Sequence, residues 1–498
     1  MQQNKTYQKL ITKIKKISNL GYANSILSWD QQVMMPEGGI EARSSQRSFL
    51  SGLTHELLIE DELGELLEKL NKKNLDEEEK AVVREIDRDY KRARKIPTEL
   101  TEKISKQTST TVDFWKKARQ NNNFSSFAPH LKKVIELKRK YANYIDPDRE
   151  SYKVLFEDYE PYINMETVEG ILKKLKRKLP KLINKIANSS ASVEENSFKG
   201  NFPSKKQEEI VKKLVNKLGF DFQHGRIDTS THPFTTGNQY DTRITTRYNE
   251  KNIGESITST IHEFGHGLYN LNLPKKHYGT PLGFSRELSV HESQSRFWEN
   301  HIGRSKSFWK FFLPTLKGRF PEQFKNISPQ DCFESINQVY DNNPIRVDAD
   351  ELTYHLHILL RFEIGRDLIN GKMKVKELPH VWNNKMEEYL GFRPENDAKG
   401  CLQDIHWAWG NFGYFSTYSM GSMIAAQIHD AISSDISLDE KIENGNFKPI
   451  RKWLKEKIHK HGQKYKTEEL IKRATGEKPT ADHFLSYAKE KYGKIYEI

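Results

Sequence analysis

Apolar residues recur at helical spacing along most of the chain, and this pattern sets the first picture. Leu10, Ile11, Ile14 and Ile17 place a helix within the first twenty residues. Further helical patterns run through 41–72, 76–95, 98–120, 126–144 and 166–188. Pro97, Asn121-Asn122-Asn123 and Pro147 break them, and Pro36-Glu37-Gly38-Gly39 predicts a turn. The Ser-, Asn- and Glu-rich segment 189–202 predicts an exposed loop, since helical patterning resumes at 204. The texture changes between 219 and 250. Residues 227–234 and 241–248 are rich in β-branched side chains and alternate by twos, with Gly237-Asn238 between them. That predicts a small antiparallel sheet. Ile257, Ile261, Phe264 and Leu268 then return to helical spacing, and Pro274 follows the helix end. Residues 285–299 predict the next helix, with Ser285 as its N-cap. Residues 345–350 open another, their acids set against its dipole, and 438–497 continue as helical scaffold. The sum is a mainly α protein with one small sheet, without repeats, expected to form a single domain over 1–498.

Composition sharpens this only in places. Hydrophobic residues make up 36% and charged residues 30%, which suits amphipathic helices with charged outer faces. A net charge of +12 raises the question of nucleic acid. The lysines are spread along helical faces, as in Leu172–Leu179, and no nucleic-acid-binding motif occurs. Solvated helix surface, with no nucleic-acid partner, is the expectation. Cys332 and Cys401 are too few for a disulfide framework. Met1–Lys5 lacks the apolar core of a signal peptide, and no apolar run approaches the roughly 18 residues that span a membrane. A soluble, cytoplasmic protein follows.

The chemistry concentrates in His262-Glu263-Phe264-Gly265-His266. On a helix, positions i and i+4 share a face about 6 Å apart along the axis. Two imidazoles so placed close on one zinc ion at about 2.0–2.1 Å. Glu263 flanks that ion, where a carboxylate takes a proton from the attacking water. Gly265 and Gly267 each cost a helix about 1 kcal/mol against alanine, so a close neighbour is expected there. A third protein ligand is still needed. The extended metzincin pattern fails, because Tyr269 and Asn272 stand where its glycine and third histidine belong. Glu287, Glu292 and Glu299 on the following helix are the candidates, and spacing does not separate them. Any two of the three are, on composition alone, surface acids.

Several segments together resemble one family, the carboxypeptidase Taq metallocarboxypeptidases. They are His232-Pro233-Phe234, Asp241-Thr242-Arg243-Ile244-Thr245, the H-E-x-x-H helix, His291-Glu292-Ser293-Gln294, Ile345–Asp350 and Gly400–Trp407. Trp29-Asp30-Gln31 with Met35-Pro36 looks similar too. All six family motifs occur in the family's order, over essentially the whole chain, with no departure at the motif positions. The resemblance implies a mostly helical fold with a deep groove, similar to neurolysin-like zinc peptidases, and a homodimer. It selects Glu292 as third ligand and implies activity with zinc or cobalt. It also implies release of C-terminal amino acids from peptides with broad side-chain tolerance.

Two further roles remain to be filled. Donors to the developing oxyanion are sought among Tyr418, Tyr414 and His406. A free terminal carboxylate calls for an arginine fork, for which Arg346 is preferred and Arg243 is the alternative. His232 and Tyr414 complete the substrate-binding candidates, so the motifs fall within 232–418. The competing reading is a neurolysin-like endopeptidase, which shares the metal site and lacks a cation for the terminal carboxylate. A basic helical adaptor with an accidental motif would hold no metal.

Overall fold

The structure, a computed structural model, describes residues 5–340 and 342–498. The stretch 1–4, read above for its lack of an apolar leader, lies outside the described residues.

Helices dominate, as the apolar spacing predicts. Glu77–Lys95, Thr98–Gln120, Phe124–Ile145 and Met165–Ala187 lie within two residues of their expected bounds. The expected helix 41–72 is two, Ile40–Leu58 and Asp61–Asn71. The first buries none of its side chains, whereas Leu63, Leu66, Leu67 and Leu70 of the second are buried, so the apolar stripe changes partner at the break. Asp61 and Glu62 fit the positive end of the new helix. The expected exposed loop 189–202 is only partly exposed. Phe198 and Phe202 are buried in it and pack against Trp309 and Phe320.

The sheet departs from the expectation in direction. It has three strands, β1 (Gly225–Thr229), β2 (Thr235–Gly237) and β3 (Thr242–Thr246), in the order β1-β3-β2. β1 pairs parallel with β3, and only the short β2 pairs antiparallel to it. The stretch read as one strand over 227–234 crosses from one edge of β3 to the other. Ser230 Oγ turns the chain by donating to the carbonyl of His232 and to Thr245 Oγ1, and Pro233 brings no ladder donor. Gly237 closes the second turn at φ +117°, where an added Cβ would lie 1.9 Å from the carbonyl oxygen of Asp241.

Helix Ile253–Asn272, which carries the histidine motif, lies directly on this sheet. Its buried stripe of Ile257, Ile261, Phe264 and Leu268 enters one apolar core together with Trp298, Trp309 and Ile428. A second core gathers helices Phe124–Ile145, Met165–Ala187 and Thr353–Asn370. Helix Ser416–Asp435 serves both, giving Ile424 and Ile428 to the first and Met420 and Met423 to the second. The helix of the histidine motif thus shares one core with the helix at which the two cores meet. No helix among the described residues is long and apolar enough to cross a membrane.

Candidate metal centre

Helix Ile253–Asn272 presents His262 and His266 one turn apart, their ring centres separated by 5.0 Å. Both rings turn Nε2 toward one atom. Oε2 of Glu292 lies 3.6 Å from His262 Nε2 and 3.3 Å from His266 Nε2. A tetrahedral ion bonded at about 2.1 Å holds its donors about 3.4 Å apart, so this set fits a zinc-like ion without rearrangement. Among the described residues it is the sole group of three or more His, Cys, Asp or Glu side chains so placed.

Glu292 arrives on helix Leu288–Arg296, which starts three residues later than predicted. Ser285 is not its cap; its carbonyl accepts from Gln463 instead. The first turn is capped from outside, where the Glu160 carboxyl group accepts from Ser289 N and Ser289 Oγ at 2.6 and 2.7 Å. Close packing explains the glycines. A Cβ on Gly265 would lie 2.5 Å from the carbonyl oxygen of Gln294, and one on Gly267 3.0 Å from Ile244. A bulkier residue at 265 would push the two helices, and with them His266 and Glu292, apart, and one at 267 would push the motif helix off strand β3.

The surroundings fix the ionic state of this centre. Burial opposes the charge on Glu292, but Arg296 and then His262 outweigh it and hold the carboxyl well below its usual range. Arg296 Nε donates to Glu292 Oε1 at 2.7 Å, leaving Oε2 directed at the histidines. Glu299 Oε2 sits 2.8 Å from His262 Nδ1, which fixes the imidazole with its Nε2 lone pair outward. Glu299 in turn accepts from Arg296 and Arg304. It stands on the π-helical segment Phe297–Gly303, a wider turn that directly continues the helix of Glu292. The expectation that two of the three glutamates are surface acids fails. Glu287 is buried against Arg286 and Thr467, and Glu299 is buried against His262.

Glu263 is buried one residue beyond His262, and its Oε2 accepts from Thr235 Oγ1 at 2.6 Å. Strand β2 therefore delivers a hydroxyl to this carboxylate. Nothing in the sequence marks Thr235 except its place in the strand before the motif.

A second polar cluster contains four more of the expected residues. Arg346 is buried and donates from Nε and Nη2 to Asp404 Oδ1 at 3.1 and 2.9 Å. Its Nη1 donates to the Tyr354 hydroxyl at 3.3 Å. Its guanidinium lies 5.3 Å from the ring centre of Tyr418, whose hydroxyl is 3.4 Å from His406 Nε2. Tyr414 packs beside both, at 5.3 Å from Tyr418 and 5.4 Å from His406. Tyr354 joins this cluster to the centre, since Arg296 also lies against its ring at 4.8 Å. Burial lowers the His406 imidazole to about 4, so it is neutral, and raises the Tyr418 phenol, which keeps its proton.

Arg243 and His232 lie apart from that cluster. Arg243, on β3, is held by Asp241 and stacks on Trp29 at 4.3 Å. His232 is exposed in the crossing between β1 and β2.

A mainly helical fold with an H-E-x-x-H helix, a converging carboxylate and a buried flanking glutamate defines a helical metallopeptidase. The comparisons carry this further. The profile of the carboxypeptidase Taq (M32) metallopeptidases matches residues 9–492, and the chain belongs to that family. The thermostable carboxypeptidase 1 of Pyrococcus furiosus is 40% identical over 495 residues, covering 98% of this chain and 99% of that protein. Carboxypeptidase 1 of Bacillus subtilis is 36% identical over 99% of both chains. Among solved structures, the M32 carboxypeptidase of Deinococcus radiodurans superposes with a TM-score of 0.96 at 32% identity, covering 99% of this chain and 100% of that one. The Pyrococcus furiosus carboxypeptidase in its Apo-Mg form gives a TM-score of 0.95 at 40% identity, with 98% of this chain and 99% of that one covered.

Proposed function

We propose that His262, His266 and Glu292 hold one divalent metal, zinc or in its place cobalt, and that the chain removes C-terminal residues from peptides with broad side-chain tolerance. The observation that carries this is the convergence of two imidazole nitrogens on Glu292 Oε2 at 3.6 and 3.3 Å. Three protein donors leave a fourth position open, as hydrolysis requires. Bound there, the ion supplies Lewis acidity that acidifies water and polarises the scissile carbonyl. Glu263 takes the proton of the attacking water and delivers it to the leaving amine. Tyr418 donates its phenolic proton toward the developing oxyanion, with His406 bracing that hydroxyl and Tyr414 packed beside it. Arg346 receives the terminal carboxylate: three of its five N–H bonds have protein partners, which leaves two to face a substrate. Arg243 and His232 border the groove on the sheet side.

That the relatives are carboxypeptidases supports exopeptidase action. The shared use of helix Ser416–Asp435 by two cores supports one catalytic domain over 1–498. The family resemblance supports a homodimer. The decisive experiment digests an N-blocked peptide and its C-terminally amidated twin with chelated and zinc-restored enzyme. Mass spectra should show a C-terminal ladder from the free acid only, and only with metal. Internal fragments, with the amide cut equally well, would replace this reading by the endopeptidase.

A further inference from the structure

Arg346 does not stand alone with Asp404. Arg361, on helix Thr353–Asn370, is buried and donates from Nε to the other carboxylate oxygen, Asp404 Oδ2, at 2.5 Å. Its Nη2 donates to Gln403 Oε1 at 2.7 Å, the same oxygen that accepts the backbone N–H of Arg346 at 2.9 Å. Nη1 donates to the carbonyl of His357 at 2.7 Å, and Trp382 covers the guanidinium at 4.6 Å. Arg361 therefore grips two of the three groups that hold Arg346, Asp404 and Gln403 but not Tyr354, and each of its own three nitrogens has a protein acceptor.

The charge count gives this geometry its meaning. Asp404 is the sole carboxylate paired with either arginine among the described residues. Two guanidinium ions thus share one carboxylate. The neighbouring His406 and His357 add no further positive charge, because burial keeps both imidazoles neutral. A buried cation without a counter-ion is strongly unfavourable unless an anion completes the set. Each arginine has three of its five N–H bonds engaged, but Arg361 is wholly enclosed while 7% of the Arg346 side chain stays exposed, so the missing anion docks at Arg346.

Resting on the reading that Arg346 receives the substrate's carboxylate, we infer that Arg361 is a positioning residue that sets specificity for a free C-terminus. By engaging Asp404 and Gln403 it orients Arg346 and leaves that guanidinium short of negative charge until substrate arrives. A lone Arg346–Asp404 pair would be neutral and would accept an amidated terminus with less loss.

The test compares N-blocked free-acid and amidated peptides, so that no substrate amine titrates. Arg361→Met should raise KM for the free acid roughly ten- to hundred-fold, with kcat changed much less and zinc content intact. The amide should be little affected, so the free-acid preference collapses. Arg361→Lys gives a readout that a merely structural role would not move, and it stands even if the methionine variant fails to fold. Burial already lowers Arg361 to about 10, against the pull of Asp404, with Arg346 lowering it further and Tyr354 raising it. A lysine there should lose its proton between about pH 6 and 9. The free-acid preference of Arg361→Lys should then fall across that range while the wild type stays flat. A lysine variant whose preference equals the wild type at every pH overturns the inference. Arg346→Ala separates the two layers. If it keeps the full free-acid preference, the carboxylate reading itself fails. If it loses the preference while both Arg361 variants keep it, only the role of Arg361 fails.

Discussion

A Cβ added to Gly421 would lie 2.4 Å from Cγ of Glu292 and 2.7 Å from its Cβ. Helix Ser416–Asp435 therefore approaches the proposed third ligand so closely that only glycine fits, and the two helices fix Glu292 between them. Gly421→Ala should displace the carboxylate by a fraction of an ångström. Loss of a ligand's support of this kind costs about 10–100-fold in metal affinity. Zinc content after dialysis against a mild chelator should fall, and excess zinc should restore activity. An alanine variant that keeps its zinc as the wild type does would show that Glu292 tolerates the shift.

Glu299 is expected to matter for metal and Glu287 is not. Removing Glu299 deprives His262 Nδ1 of its acceptor and Arg296 and Arg304 of a counter-ion. Glu299→Ala should weaken zinc binding about 10–100-fold, whereas Glu287→Ala, which leaves Thr467 without its acceptor and Arg286 with Glu85 as its remaining carboxylate, should lower Tm and leave zinc affinity in place. Competition with a zinc-sensitive dye measures both. Equal affinity in the two variants would detach Glu299 from the centre.

These two carboxylates mark how far the sequence carries. The pair His262 and His266 is legible because i, i+4 geometry is local and needs no tertiary information. Gly265 and Gly267 announce close packing for the same reason, though not by what. Glu299 is opaque because its position depends on the π-helical turn Phe297–Gly303, which shifts the register that a 3.6-residue period would give. The sheet is misjudged in direction because alternation marks strands but not their partners, and Pro233 sits inside what reads as one strand. Arg361 stands in a helix that is buried on nearly every side; its partner Asp404 lies 43 residues away, and spacing holds no trace of that contact.

Glu160 gives the fold a measurable pH dependence. Burial first, and the nearby Glu287 second, raise its carboxyl from 4.5 to about 8, with the bonds from Ser289 pulling back in part. Above pH 4.5 the unfolded chain releases this proton, while the folded chain keeps it until about 8. The folded state thus binds more protons in that window, and stability falls as pH rises through it. Glu160→Gln keeps the shape and an acceptor oxygen but has no proton to lose. It should flatten the decline in Tm between about pH 5 and 8. Parallel Tm curves for the two proteins would place the titrating group elsewhere.

The last expectation concerns the proton itself. Glu263 is buried beside His262, outside the converging donor set, with one oxygen engaged by Thr235 Oγ1 at 2.6 Å. A general base needs a fixed direction as well as an accepting oxygen, and that hydroxyl supplies the direction. Glu263→Gln preserves shape and removes the ability to accept a proton, so kcat should drop about 10²–10⁴-fold with zinc retained. Thr235→Val keeps the volume and removes the donor. Because the same hydroxyl also lies 3.1 Å from the carbonyl oxygen of Glu263, the valine variant frees both backbone and side chain at this point. Its kcat should fall about ten-fold, with KM and zinc content close to wild type, since orientation alone is lost. Steady-state kinetics beside metal analysis on the same preparations distinguish the roles. If Glu263→Gln sheds zinc as readily as His262→Ala, the carboxylate is a ligand and the base must be sought elsewhere.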